Sequence, residues 1–144
     1  GTPFVLDQMS LNLLNNHVET SGLAKLLQDN GAGVIAYGPL SEGLLSDRYL
    51  KEIPQDFHIH HTNASLLDNG PLALVKKLNA LNDFAKNRDQ TLSQMSLAWL
   101  LKDPVVASVI IGTTNNQHLD DNLKALDNLK FSADEIEQIN KIIG

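Results

Sequence analysis

No cysteine occurs in the 144 residues of the chain. That excludes a disulfide framework and thiolate chemistry, and it suits a cytoplasmic protein. Positive charge is in deficit: 11 Lys and Arg stand against 17 Asp and Glu, for a net charge of -6. A general nucleic-acid binder would show a basic face, so that class is set aside, whereas one phosphorylated small molecule needs only a local site. No apolar run is long enough to span a membrane, and no signal peptide is visible. Low-complexity tracts and short repeats are absent as well. An initiating Met is missing too, since the chain opens Gly-Thr-Pro-Phe, which reads as a fragment of a longer protein. What is present is ordinary for a folded chain, with 42% hydrophobic residues, enough for one domain with a real core.

Taken in order, Phe4, Val5 and Leu6 read as a short strand ending at the polar pair Asp7 and Gln8. After a loop, a helix is expected from about Gly22 to Asn30, with Leu23, Leu26 and Leu27 inward and an Asn-Gly stop. Val34 to Tyr37 form a second strand closed by Gly38 and Pro39, and this β-α-β spacing predicts a right-handed crossover between parallel strands. Leu40 to Asn69 is long and irregular, a length that in a compact domain is usually functional or disordered. Pro71 suits a first helical residue, and Leu74, Leu78, Leu81 and Ala85 give the stripe of a helix to about Asn87. Thr91 with Gln94 is a capping-box pattern starting a helix that turns Met95, Ala98 and Trp99 inward and stops near Asp103. Val109, Ile110 and Ile111 read as a buried parallel strand, followed by a polar turn and a helix with Leu119, Leu123 and Leu126 at helical spacing. Ser132 with Glu135 starts a last helix carrying Ile136, Ile139 and Ile143. Alternating strands and helices imply an α/β layer fold. A three-stranded parallel sheet leaves two raw edges, so the chain reads as part of a larger sheet or barrel.

Two places carry candidate chemistry. The turn from Gly112 to Asn115 leads into a helix N-terminus, where free backbone N–H groups can hold an anion and Thr113 and Thr114 can donate to phosphate. Asp121 and Asn122 are placed to bond ribose or adenine edges; the bland alternative is a helix start with a solvated acidic pair. At the end of the second strand, Tyr37 can stack on a planar ring while Gly38, Pro39 and Leu40 turn the backbone towards a ligand. There the bland alternative is a strand-ending turn with a core tyrosine. His58, His60 and His61 cluster in the long loop, but with no fixed carboxylate or thiolate partner they read as solvated rather than metal-binding. Gly31 and Gly33 lead into a strand instead of following one, so they are no dinucleotide fingerprint.

The runs GVIAYGPLSEGLLSDRY and SVIIGTTNNQHLDDNLKAL resemble the aldo-keto reductases. The likeness extends through FVLDQMSLNLLN and TLSQMSLAWLLKDPVVASVIIG, in family order over essentially the whole chain. It is strongest to the branch that holds L-glyceraldehyde 3-phosphate reductase and the potassium-channel β subunits. The resemblance implies the C-terminal part of a TIM (β/α)8 barrel, with residues 1–144 contributing strands six to eight and their helices. It implies NADP(H) across the carboxyl ends of the strands, and barrel phosphate sites commonly form there. By resemblance, Gln8 holds the nicotinamide carboxamide and Tyr37 stacks on the ring. Gly38, Pro39 and Leu40 line the pyrophosphate with Arg48 nearby. Gly112 and Thr114 contact the adenosine-side phosphate, His118 lies beside it, and Asp121 and Asn122 meet the adenine.

Departures accompany the likeness. His118 and His58 stand where related reductases often carry Arg or Lys, and an imidazole offers no bidentate fork to a 2′-phosphate. NAD(H) therefore stays open beside NADP(H). Leu11 replaces an aromatic common in that loop. The family's catalytic Asp, Tyr, Lys and His all belong to the first half of the barrel, so no catalytic residue is assigned here and this chain alone is expected to be inactive. The expected function is the cofactor-binding part of an aldo-keto reductase that converts aldehydes or ketones to alcohols. Expected partners are a small carbonyl substrate and the N-terminal half of the barrel. A nucleotide-sensing regulatory module like the channel β subunits is the alternative, and pairing of raw sheet edges into a homo-oligomer is a third reading.

Overall fold

A computed structural model of the protein describes residues 5–144, and residues 19 and 20 by their backbone alone. Three parallel strands form one sheet in the order β1-β2-β3: β1 Leu6–Ser10, β2 Gly33–Tyr37 and β3 Val106–Ile110. Between β1 and β2 lie α1 His17–Thr20 and α2 Leu23–Asp29. Between β2 and β3 come α3 Ile59–Thr62, α4 Pro71–Asn87 and α5 Leu92–Leu101. After β3 follow α6 Asn116–Leu123 and α7 Ala133–Ile143. Among the described residues no helix is long and apolar enough to cross a membrane.

Parallel pairing puts residues of one row on one face of the sheet. Asp7, Val34 and Val106 share a row, as do Met9, Ala36 and Val109. Val34 and Ala36 are fully buried and Val106 nearly so, because α5 packs on β3 and the main apolar core lies on this side. On the other face stand Gln8, Ile35 and Ser108, then Ser10, Tyr37 and Ile110. Tyr37 and Ile110 are 46% and 47% exposed, so among the described residues this face has no cover. The register slips between Val34 and Ile35, which lets Ala107 fall out of the ladder.

The helices follow their local signals. Both capping boxes form, with Thr91 accepting from the Gln94 N–H and Ser132 from the Glu135 N–H. Leu74, Leu78, Leu81 and Ala85 of α4 are buried, as are Met95, Ala98 and Trp99 of α5. Each large apolar side chain removed from water contributes about 1.5–3 kcal/mol. Trp99 meets Phe131 edge-on at 5.3 Å and the Lys102 ammonium at 4.1 Å from its ring centre. Among the described residues its indole N–H finds no hydrogen-bond partner.

Several expectations need correction. β1 does not end at Asp7 and Gln8 but runs through both to Ser10, since a polar side chain on the open face leaves the backbone ladder intact. Phe4 lies outside the described residues. In α2 only Leu27 is buried, and Leu26 is 59% exposed. β3 begins three residues earlier than the apolar triplet and stops at Ile110, because its ladder follows the length of β2. Ala107, Ser108 and Ile110 are exposed, so β3 is not a strand buried on both faces. Leu119, Leu123 and Leu126 are likewise uncovered, at 36%, 52% and 56% exposure. The stretch from Leu40 to Asn69 is not structureless. It contains α3 and short 3-10 turns at Ser41–Gly43, Asp47–Tyr49 and Ala64–Leu67. Leu44, Leu45, Tyr49, Ile53, Phe57 and Ile59 drive it into the core.

A polar clasp closes the far side. The Arg88 side chain pairs with Glu135, donates to the Lys130 carbonyl at 3.0 Å, and lies 3.8 Å from the Phe131 ring centre. Partial burial works to raise the Glu135 pKa, but bonds from the Ser132 backbone N–H and from Arg88, with the Arg88 charge, outweigh it and hold the carboxyl below its ordinary range. A depressed folded-state pKa gives stability that is present above the unfolded value and lost as pH falls through the folded one. Glu135→Gln should therefore lower stability at neutral pH by about 1–2 kcal/mol in urea titrations. The gap to the unaltered chain should close as the pH drops below the usual carboxylate range.

Candidate functional site

Because the strands are parallel, Ser10, Tyr37 and Ile110 end side by side and their loops leave from one edge of the sheet. Gln8 and Tyr37 sit on the same open face, one strand apart and two residues apart in register. Strand geometry separates such positions by about 8 Å. Gln8 is exposed, offering an amide that donates and accepts, and Tyr37 presents an uncovered ring beside it.

The turn after β2 is fixed from two directions. Gly38 takes φ 62, a left-handed angle that favours glycine. Its carbonyl accepts from the Asn12 side-chain amide at 3.2 Å, and the Asn12 carbonyl oxygen accepts from the Leu14 N–H at 3.0 Å. Asn12 is only 4% exposed, so it joins the loop after β1 to the turn after β2 out of reach of most water. Pro39 is buried and Leu40 half-buried. Ser41 and Glu42 then adopt φ 48 and 59, followed by Gly43 at 93. Left-handed backbone at two consecutive non-glycine residues persists only where surrounding bonds hold it. Here the Glu42 carboxylate pairs with the His58 ring and accepts from the Thr62 hydroxyl at 3.0 Å.

Arg48 lies further along, exposed on the Asp47–Tyr49 turn, with its guanidinium 6.0 Å from the Tyr49 ring centre. His60 hydrogen-bonds the Pro54 carbonyl at 3.1 Å. Among the described residues no group of three His, Asp or Glu side chains is arranged to hold a metal ion.

Beyond β3, Gly112, Thr114 and His118 are exposed. Thr113 is taken up by its own turn, accepting from the Asn115 N–H at 3.1 Å and donating to the Asn115 carbonyl at 3.0 Å. Asn115 caps α6 by accepting from the Gln117 N–H at 2.8 Å. His118 stands in the first turn of α6, while Asp121 and Asn122 are half-buried near its end. The Asp121 carboxylate accepts from the Lys124 ammonium at 2.7 Å. That bond and the Asp121 charge hold the Lys124 pKa above its ordinary value. One Asp121 oxygen is thus already engaged.

The structure therefore brings Gln8, Tyr37 and Gly38 to Leu40 together at the carboxyl edge, with Gly112 and Thr114 on the loop of the adjacent strand. Arg48 and the α6 residues lie on elements further from the strand ends. Asn12, Glu42 and Thr62 join these groups from outside the sequence motifs. The Asn-rich turn after β1 was the available signal for Asn12; nothing in Ser41-Glu42 announces left-handed backbone. A shallow concavity of about 610 Å³, lined by Lys102, Pro104, Leu129 and Phe131 among others, precedes β3 at the opposite end of the sheet and contains none of these residues.

The model of the aldo/keto reductase family matches residues 1–144. The chain belongs to the aldo-keto reductase family. It is 43% identical over 146 residues to L-glyceraldehyde 3-phosphate reductase of Escherichia coli K12, covering 99% of this chain and 42% of that one. It is 31% identical to a probable voltage-gated potassium channel β subunit of rice, covering 92% of this chain and 41% of the other. Among solved structures, an aldo/keto reductase from Klebsiella pneumoniae in complex with NADP and acetate superposes with a TM-score of 0.66 at 20% identity, over 96% of this chain and 39% of that chain. At that identity the likeness speaks for the fold. The sheet and helices are the C-terminal part of an aldo-keto reductase barrel, and the chain spans about two fifths of the curated relatives it matches.

Asn12→Asp keeps the acceptor for the Leu14 N–H but sets a carboxylate oxygen against the Gly38 carbonyl. It should cost about 1–3 kcal/mol, measured by urea unfolding, and Asn12→Ala should cost a similar amount.

Proposed function

We propose that this chain is the cofactor-binding C-terminal part of an aldo-keto reductase that reduces aldehydes or ketones to alcohols with NADP(H). The observation that carries the reading is the placement of Gln8 and Tyr37 on one uncovered sheet face, at the edge from which the loops after β2 and β3 emerge. Family membership supports it, as does the NADP bound by the Klebsiella relative. The nicotinamide cofactor supplies hydride when bound.

The residues fit such a group. Gln8 can exchange two hydrogen bonds with a carboxamide, and the exposed Tyr37 ring can stack on a flat heterocycle. Left-handed Gly38 leaves no Cβ in the way of a pyrophosphate, and Pro39 and Leu40 continue that wall. Arg48 adds positive charge from the outer turn. Gly112 and Thr114 meet the adenosine-side phosphate at the start of α6, where backbone N–H groups favour anions. His118 stands beside it, and Asp121 and Asn122 take the adenine edges, Asp121 through the oxygen that Lys124 leaves available. An imidazole at His118 offers no bidentate fork and so gives weaker selection for a 2′-phosphate than a guanidinium would.

No residue here is assigned to the proton-transfer step. Its Asp, Tyr, Lys and His belong, in this reading, to an N-terminal barrel segment outside the chain. That segment would also cover the open face and the exposed side of α6. The likeness to the channel β subunit favours one further reading, a regulatory module that senses bound nucleotide. Steady-state aldehyde reduction by the whole protein separates the two.

The 144-residue chain should bind NADPH, followed by cofactor fluorescence, yet show no carbonyl turnover at verified mass; robust turnover would defeat the reading. Tyr37→Ala should weaken NADPH binding by about 5- to 30-fold, the loss expected for one stacked ring of roughly 1–2 kcal/mol.

A further inference from the structure

Gln94 uses both ends of its side-chain amide. Its Oε1 accepts from the Thr91 backbone N–H at 3.0 Å, completing the capping box of α5. Its Nε2 donates to the Asp121 carbonyl at 2.8 Å. Gln94 is 8% exposed, so neither bond is easily replaced by water. The Asp121 carbonyl belongs to the last turn of α6, just before the helix passes into the 3-10 turn Lys124–Asp127. Carbonyls at such an end lack regular helical partners.

Apolar packing on α5 comes mainly from the turn that follows α6, where Ala125 is buried. α6 itself buries no residue completely, and its Leu119 and Leu123 remain exposed. The Asp121 carboxylate bonds Lys124 on the same stretch of chain, which anchors nothing distant. α5, by contrast, is a fixed reference: Met95, Ala98 and Trp99 are fully buried, and the helix packs against β3. Packing at Ala125 holds the turn after α6 against α5, and the Gln94 bond adds the directional tie that sets the Asp121 backbone itself.

We infer that Gln94 is a positioning residue for the adenosine end of the nucleotide site, holding Asp121 and Asn122 in place without touching the ligand. This rests on the cofactor reading above. The capping box explains why a glutamine follows Thr91 by three residues. Glutamate would complete that box equally well, but ionised it has no proton to give the Asp121 carbonyl. The tether is what requires the amide.

Gln94→Glu separates the two roles. At pH 8 the carboxylate keeps the cap and loses the tether. NADPH and adenosine 2′,5′-bisphosphate should then bind about 5- to 30-fold more weakly than to the unaltered chain, the range expected for one lost buried bond. Nicotinamide mononucleotide should bind both chains alike. As pH falls and the carboxyl protonates, its O–H can donate to Asp121, so the ratio of variant to unaltered affinity should recover. Asp120, Asp121, Lys124 and His118 on and beside α6 are present in both chains, so the comparison is made as the ratio of the two affinities at each pH. Folding of the variant is checked at acid pH, where both bonds are available, and loss of amide protection over residues 119–123 at pH 8 reads the tether without nucleotide. Thr91→Ala, which weakens the cap and spares the tether, should lower stability but leave nucleotide affinity unchanged.

Equal affinity of Gln94→Glu and the unaltered chain at every pH would overturn the inference. So would an equal loss for both halves of the cofactor, or the same loss in Thr91→Ala. If the unaltered chain bound no adenosine nucleotide, the cofactor reading itself would fall and this inference with it.

Discussion

The ladder bonds of β2, to β1 on one side and β3 on the other, set the level at which all three strands end. Since the pairing is parallel throughout, that level also fixes where the loops after the strands begin. Asn12 adds a side-chain tie between two of those loops, so the turn at Gly38 is held by its neighbour as well as by its own strand. The candidate groups owe their proximity to this shared edge. None of them is close to the others in sequence except within its own turn.

The two faces of the sheet divide the work. Helices cover the row residues Val34, Ala36 and Val106, and apolar burial there supplies the stability. The opposite face keeps Gln8, Tyr37, Ser108 and Ile110 accessible, a composition too mixed to serve as a core yet suited to a ligand with both flat and polar parts. The long connection between β2 and β3 belongs to the stable side. Leu44, Leu45, Tyr49, Ile53, Phe57 and Ile59 anchor it, Asn79 donates to the Leu50 carbonyl at 2.7 Å, and Ser93 to the Leu45 carbonyl at 2.9 Å. A stretch so anchored is a packed layer over α4 and α5; its segment from His58 to Thr62 meets Glu42.

Features encoded within a few residues were legible in the sequence. The capping boxes at Thr91 and Ser132 and the Pro71 start of α4 depend on contacts three or four residues away, and each forms where the pattern places it. Features set by distant pairing were less so. The bounds of β1 and β3 follow β2, which a run such as Val109-Ile110-Ile111 cannot report. The anchors of the long connection have irregular spacing and fit neither the helical nor the strand period. The exposure of Leu119 and Leu123 contradicts their amphipathic pattern because the pattern records a buried face without saying what buries it. For the site, the residues alone favoured a plain strand-ending turn at Gly38 and left the Gly112 turn open between an anion site and a bland helix start. Resemblance to a family, rather than spacing, is what groups them as one candidate site.

Trp99 is the single tryptophan of the chain and lies fully buried in α5, edge-on to Phe131 and under Lys102. Its ring is on the helix-covered side of the sheet, away from Gln8 and Tyr37. Intrinsic emission from this protein therefore reports the integrity of the α5 core. A chromophore resting on the open face would dim that emission by energy transfer through the sheet and not by ring contact, so one optical signal can follow both unfolding and ligand occupancy, provided the two are separated by wavelength.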